Sequence, residues 1–475
     1  MNAPISRLFA ITLLLFAVLV FFTSKWTVFE AEDLRANRLN ARPLLEQTFI
    51  ERGRIRSADR EVVARSVRHR DDTFSRVYPQ QGLFAHAVGF SFVDRGQDGI
   101  ERYYNDELTG KDDPLGNVID QLSGNQKQGD DLDTHLDAKA QRVALEGLAG
   151  RKGAVVALDP QTGAVQVMAS VPGYDPNDVD RPKVLSQLNR DDANAPLVNR
   201  ATQAGYPPGS TMKVVTAIAA IDSGKFQPGS QVSGENGKKI SGVPLNNFGG
   251  EDFGQIDLTF ALTKSVNTAW AAVGESLGKA TMQKYMKRLG FGSDPPMDYP
   301  DEQMRPSGEY VKGRVVPATH PAVDVGRMAI GQDKLNVTPL QMAMVAAAVA
   351  NDGKLMAPRI GDRFIDPDGR TNDVETDEMS EVMSVDSARK VNQMMQNVVR
   401  EGSGTAAALQ GIDVAGKTGT AEVDRPCGPN QVWFIGFAPA RDPKVAVAVT
   451  LECSDATGGT VAAPIAKRVM ESLLR

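Results

Sequence analysis

The sequence is poor in several residue types on which protein chemistry commonly depends. It has 2 cysteines, 4 histidines, 3 tryptophans and 6% aromatics in 475 residues. His69, His86, His135 and His320 are scattered, and no pair has metal-ligand spacing, so a metal site is not expected. Two cysteines, Cys427 and Cys453, allow one disulfide at most. Basic charge is not in excess: 53 Lys and Arg stand against 59 Asp and Glu, for a net charge of −6. That balance removes the usual attraction to nucleic acid. Internal repeats and low-complexity tracts are also missing.

What remains is a chain with the composition of a folded protein, 41% hydrophobic and 24% charged, long enough for two domains. One uncharged apolar run stands out, "LFAITLLLFAVLVFFTS" at residues 8–24, between Arg7 and Lys25. As a helix it would be about 26 Å long, near the lower limit for a membrane span. Arg7 and Lys25 can snorkel, and Trp26 suits the interface. The following "FFTSKWTVFE" lacks the small-residue pattern of a cleavage site. Residues 1–26 are therefore read as a cytoplasmic tip and an uncleaved anchor. Charge alone sets the orientation only weakly.

Residues 27–150 are polar, Arg-rich and punctuated by glycine, as in an elongated module without a large core. The pattern changes at "GAVVALDPQTGAVQVMASV", residues 153–171, which reads as two strands about a tight turn. The stretch "DPNDVDRPKVLSQLNRDDANAPLVNRAT" reads as loop. Helical periodicity marks "LTFALTKSVNTAWAAVGESLG", "TPLQMAMVAAAVANDG" and "DSARKVNQMMQNVVREG". Strand-like runs follow at 413–423, 431–439 and 444–452, then a closing helix at about 461–474. Strands, then helices, then strands predict an α/β protein of the α+β type. Residues 151–475 should form one antiparallel five-stranded sheet between helical layers.

Three short motifs carry possible chemistry. In "GYPPGSTMKVVTAIAA", Ser210 and Lys213 stand three apart where a Pro-Pro-Gly stop gives way to an apolar helix. Residues i and i+3 share a helix face, so Lys213 can reach the Ser210 hydroxyl. Burial would lower the lysine's pKa and let it act as a base. The alternative is a helix cap beside a solvated lysine. Ser276–Lys279 and Ser387–Lys390 have the same spacing without that context. Ser265 and Asn267 lie in a helical stretch, whereas Ser123 and Asn125 repeat their spacing in the N-terminal module. "AGKTGTAE" holds Lys417, Thr418, Gly419 and Thr420. Strand alternation places both threonines on one face, where their hydroxyls could bind a carboxylate near the Lys417 charge. Gly419 would let a ligand backbone approach. Each motif alone is compatible with ordinary structure.

Together and in this order, the motifs resemble those of penicillin-binding proteins and class A β-lactamases. The chain resembles a class B penicillin-binding protein, and within that class the actinobacterial penicillin-binding protein A type. "ERGRIRSADREVVA", "GIERYYNDELTG", "LDTHLDAKAQRVALEGL", "MASVPGYDPN" and "IGQDKLNVTPLQMA" extend the resemblance over nearly the whole chain. Asp333 departs from it, standing where the family usually has glycine.

The resemblance implies a peptidoglycan D,D-transpeptidase without cofactor or metal. Ser210 would be the nucleophile, Lys213 its base, Ser265 a proton relay and Asn267 a holder of the substrate amide. Lys417, Thr418, Gly419 and Thr420 would bind the substrate, with its terminal carboxylate on Lys417, Thr418 and Thr420. The N–H groups of Ser210 and Thr420 would form the oxyanion site. The implied ligands are peptidoglycan stem peptides and β-lactam antibiotics. The implied partner is a membrane glycosyltransferase of the shape, elongation, division and sporulation family. A single-pass protein with its catalytic domain outside the cell follows, and an exported domain permits a Cys427–Cys453 disulfide. The residues alone leave two rivals. One is a D,D-carboxypeptidase or β-lactamase that passes the acyl group to water, and the other is a β-lactam sensor or an inactive scaffold.

Overall fold

A computed structural model describes residues 2–25, 47–110, 128–423 and 428–475. The apolar run forms helix α1, Asn2–Ser24. Its segment Ser6–Ser24 is long and apolar enough to cross a membrane and has no buried residues.

The next elements are the short strands β1 (Ile55–Arg56), β2 (Val62–Arg68), β3 (Phe74–Val77) and β4 (Asp131–Thr134). Helix α2 (Ala138–Leu148) follows, begun by Asp137, whose side chain accepts the Ala140 N–H. The hairpin β5 (Gly153–Leu158) and β6 (Val165–Val171) comes next, with its turn as the sequence predicts. Helix α3 is Met212–Asp222, α4 is Leu258–Thr263 and α5 is Asn267–Arg288. Helix α6, Pro339–Ala350, starts with proline at its first turn after the Thr338 cap. All its residues are buried, so it is apolar on every side and shows little amphipathic period. Strands β7 (Gly361–Ile365) and β8 (Thr371–Asp373) precede α7 (Val385–Glu401). The chain ends with β9 (Ala415–Glu422), β10 (Asn430–Ala438), β11 (Val445–Ser454) and α8 (Gly458–Leu473).

The central sheet is five-stranded, in the order β9-β10-β11-β5-β6, and antiparallel throughout. Its residues alternate between two cores. Val155, Val432, Phe434, Val447 and Val449 pack with Ala144 of α2 and Ala466 and Val469 of α8. Val156, Trp433, Ile435, Ala446 and Ala448 face the opposite way, toward Ile218 of α3 and Val345 of α6. The sheet thus lies between helical layers. β9 is its edge, leaving one side of that strand open.

The polar N-terminal region departs from expectation, because it does have a core. Ile55, Val63, Phe84, Ile100, Leu108 and Leu132 are buried in the same cluster as the central helices. Its apolar stretches are only one to three residues long, too short to show a period. Its six-stranded sheet runs β8-β7-β4-β1-β2-β3, so two strands come from residues 361–373. Beneath it, Glu101 is fully buried between Arg52 and Arg76, each donating from Nε at 2.6 Å. The "loop" stretch also contains two short helices, Pro176–Val179 and Val184–Arg190. Helices of one or two turns carry too little periodicity to read from sequence.

Candidate active site

Ser210 lies in a single 3-10 turn, Gly209–Thr211, that runs into α3. The helix proper starts at Met212, and Lys213 is in its first turn. Three contacts hold the turn in place. Gly209 N–H donates to the Gly331 carbonyl at 3.0 Å. Thr211 Oγ1 donates to the Pro208 carbonyl at 2.8 Å, and Trp433 Nε1 donates to the Pro207 carbonyl at 3.0 Å. Glycine is required at two of these positions. Gly209 has φ +52, and a Cβ there would lie 2.8 Å from the Thr420 carbonyl oxygen. Gly331 has φ +80, and its Cβ would lie 2.0 Å from the Gly209 carbonyl oxygen. The Ser210 turn therefore sits against the open edge of β9.

Lys213 is fully buried. Its Nζ lies 2.9 Å from Ser210 Oγ, 2.7 Å from Asn267 Oδ1, 2.7 Å from the Ser265 carbonyl oxygen and 3.2 Å from Ser265 Oγ. Burial pushes its pKa well below the usual lysine value, and the charge of Lys417 pushes it the same way. Lys417 is also fully buried, which lowers its pKa to about 7. Its Nζ donates to Ser265 Oγ at 2.9 Å and to the Thr418 carbonyl at 2.9 Å. The Ser265 hydroxyl thus bridges the two lysines.

Ser265 is not within a helix, as its sequence context suggests. It occupies the break between α4 and α5 with φ +60. A regular helix would have turned residues 265 and 267 onto different faces. The break brings Ser265 and the first helical residue, Asn267, to the same amine. Asn267 Nδ2 is held by the Asn246 carbonyl at 3.1 Å.

Thr418 and Thr420 share one face of β9, and Lys417 faces the other way, toward Ser265. Thr418 Oγ1 pairs with Ser403 Oγ, and Thr420 Oγ1 accepts the Gly458 N–H. Gly419 differs from expectation. A Cβ there would lie 2.7 Å from the Pro208 carbonyl oxygen, so the bare position admits the turn that carries Ser210.

The decoy motifs are not part of this site. Lys279 donates to the His320 carbonyl, Ser387 pairs with Ser384, and Lys390 pairs with Asp386. Ser123 and Asn125 lie outside the described residues. Asp333 adopts φ +72, a conformation natural to glycine. Its carboxylate accepts from Lys334 Nζ at 2.8 Å and from the Asp324 N–H at 3.3 Å, and neither is a candidate catalytic group. Cys427 also lies outside the described residues. Cys453, at the end of β11, is not a free thiol. A Cβ on Gly428 would lie 2.5 Å from the Cys453 carbonyl carbon, so the chain entering β10 crosses to that strand end.

Sequence reasoning missed Ser403. Only the "GSG" punctuation after α7 marks it, and its contact with Thr418 arises from tertiary packing.

Residues 153–471 match the family described as the penicillin binding protein transpeptidase domain. Residues 52–132 match the penicillin binding protein A dimerisation domain. The chain is 34% identical over 501 residues to the peptidoglycan D,D-transpeptidase PbpA of Mycolicibacterium smegmatis, covering 100% of this chain and 99% of that protein. It is 32% identical over 503 residues to PbpA of Mycobacterium tuberculosis, with the same coverage of 100% and 99%. Among solved structures, it is similar to penicillin-binding protein A from M. tuberculosis as its ceftriaxone acyl-enzyme complex. That likeness has a TM-score of 0.82 and 32% identity, covering 91% of this chain and 100% of the other. The penicillin G acyl-enzyme complex of the same protein matches with a TM-score of 0.79 and 32% identity, covering 90% and 100%.

Proposed function

This chain belongs to the penicillin-binding protein transpeptidases, and on that premise we propose the residues through which it works as a peptidoglycan D,D-transpeptidase. Ser210 is the nucleophile and Lys213 its general base. The observation that carries this is the buried Lys213 amine 2.9 Å from Ser210 Oγ. A neutral amine has two protons and one lone pair. The protons serve the Ser265 carbonyl and Asn267 Oδ1, which leaves the lone pair for the Ser210 hydroxyl proton.

The Ser210 oxygen bonds to the carbonyl carbon of the penultimate D-alanine as its proton passes to Lys213. The oxyanion forms between the turn and the edge of β9, where the N–H groups of Ser210 and Thr420 are the donors. Such fixed donors stabilise a transition state by about 3–4 kcal/mol. The peptide C–N bond then breaks. Ser265, in contact with both lysines, relays a proton to the departing D-alanine amine. Asn267 holds the substrate amide. Lys417, Thr418 and Thr420 receive the terminal carboxylate, and the Gly419 backbone lies along the peptide. An amine of a second stem peptide attacks the acyl-enzyme, frees Ser210 and completes the cross-link. β-Lactams enter by the same attack and remain bound.

Helix α1 anchors the chain, and the part beyond Lys25 works outside the cell, where its substrate is. We divide the chain into an anchor at 1–26, a non-catalytic pedestal or dimerisation module at 27–150 and the transpeptidase domain at 151–475. The match to a dimerisation domain at 52–132 supports the middle part. A membrane glycosyltransferase that supplies uncross-linked strands is the fitting partner.

Labelling with a fluorescent penicillin tests the assignment. Ser210→Ala should abolish the covalent label, whereas Ser276→Ala and Ser387→Ala should keep it. A label surviving in Ser210→Ala sinks the proposal.

A further inference from the structure

We infer that Ser403 and the first amide of α8 are positioning groups that aim the Thr418 and Thr420 hydroxyl protons at the donor's terminal carboxylate. The inference rests on the carboxylate reading given above. Each threonine is held from behind. Thr420 Oγ1 accepts the Gly458 N–H at 3.3 Å, and Thr418 Oγ1 lies 2.5 Å from Ser403 Oγ.

A hydroxyl carries one proton and two acceptor lone pairs. The Gly458 amide can only donate, so it never takes up the Thr420 proton. Ser403 can donate or accept. With an anion in the cleft, the favourable order has Ser403 donating to Thr418 and Thr418 donating to the anion. Two hydrogen bonds in series, ending on a charge, polarise each other in the same direction. Lys417 does not set this alignment, because its amine donates to Ser265 Oγ and the Thr418 carbonyl and to neither threonine hydroxyl, while its third N–H stays available to the carboxylate. The positive end of α8 adds to the attraction behind Thr420.

The packing permits this only with bare glycines. A Cβ at Gly458 would lie 2.2 Å from the Trp433 carbonyl oxygen and 2.4 Å from that of Gly419. A Cβ at Gly459 would lie 2.4 Å from the Ser403 carbonyl oxygen. The helix end thus touches both the threonine strand and the Ser403 turn. Ser403 is exposed at the rim and Thr418 is buried beneath it, as suits a group that steers its neighbour.

The test compares acylation by a penicillin with acylation by the same penicillin esterified at its carboxylate. In Ser403→Ala the acid should react about tenfold more slowly, as for a lost hydrogen bond in a charged chain. The ester, which presents no anion, should slow much less. Ser403→Thr should restore the acid's advantage. Equal slowing of acid and ester, or no slowing of the acid in Ser403→Ala, overturns the inference. Thr418→Val separates this outcome from failure of the underlying reading. If Thr418→Val loses the acid's advantage while Ser403→Ala keeps it, the carboxylate reading stands and the role of Ser403 falls. If Thr418→Val keeps that advantage, both fall. Melting temperatures near that of the parent are expected for all three variants, and acid-selective slowing is the readout that loosened packing would not give.

Discussion

At the residue scale, the site turns on two buried amines that share one serine. Lys213 must be neutral to accept the Ser210 proton, so acylation should fall as pH drops through its lowered pKa. Part of that lowering comes from the Lys417 charge. Lys417→Met removes the charge, so the Lys213 pKa should rise and the acid limb should move to higher pH. A pH profile of penicillin acylation measures this, and a limb that stays put or moves lower contradicts the coupling. Lys213→Ala itself should slow acylation by about 10²–10⁴-fold, the usual range for a general base. The i, i+3 spacing made a contact between Ser210 and Lys213 legible in the sequence, while a catalytic reading of the pair came only from the resemblance that the three motifs carry together. Ser265 was legible as a motif member but not as a residue with φ +60, because the α4–α5 break comes from packing rather than local sequence. Ser403 was not legible, since Thr418 reaches it only after α7 and β9 come together.

At the scale of elements, the turn that carries the proposed nucleophile is clamped between β9 and Gly331. Gly331→Ala would place a methyl 2.0 Å from the Gly209 carbonyl oxygen in a backbone at φ +80. The turn must shift, and a displacement of about 1 Å at a reacting group costs on the order of 10²-fold in rate. Penicillin acylation and the melting temperature, measured together, distinguish a moved nucleophile from an unfolded one. An unchanged acylation rate removes the clamp from the argument. The three C-terminal strands fall where the sequence has strand-like runs, including the central place of β10, and burial on both faces makes those runs almost continuously apolar. That order places Cys453 at the same sheet end as the segment leading to β10, and Gly428 already touches the Cys453 backbone. Thiol titration in denaturant without reductant should find no free thiol if Cys427 and Cys453 are joined. Two free thiols per chain would exclude the bond. Closing that loop would contribute roughly 3 kcal/mol by the chain-entropy relation.

At the scale of the whole molecule, the two regions are not separable beads. β4 pairs with β7 from Thr134↔Gly361 to Asp131↔Ile365, so the N-terminal sheet is completed by sequence from the transpeptidase region. A protein lacking residues 1–25 should be soluble and still take up penicillin. A fragment of residues 151–475 should not, because β7 keeps β8 but loses β4, and the residues packed on Ile55, Ile100 and Leu132 meet water. Size-exclusion chromatography of both decides the matter, and a monodisperse, penicillin-labelled fragment would show that the region stands alone. This dependence was hidden in the sequence, since β7 looks like any other short strand and pairing between distant segments leaves no local mark. It also imposes an order in time. A ribosome releases β1 to β4 long before β7 exists, so the early sheet waits with an open edge while the catalytic region is still being made. The last residues to complete the N-terminal sheet are thus among the later ones synthesised. The chain cannot mature from one end to the other, and a truncated product would carry an unfinished foundation as well as a missing site.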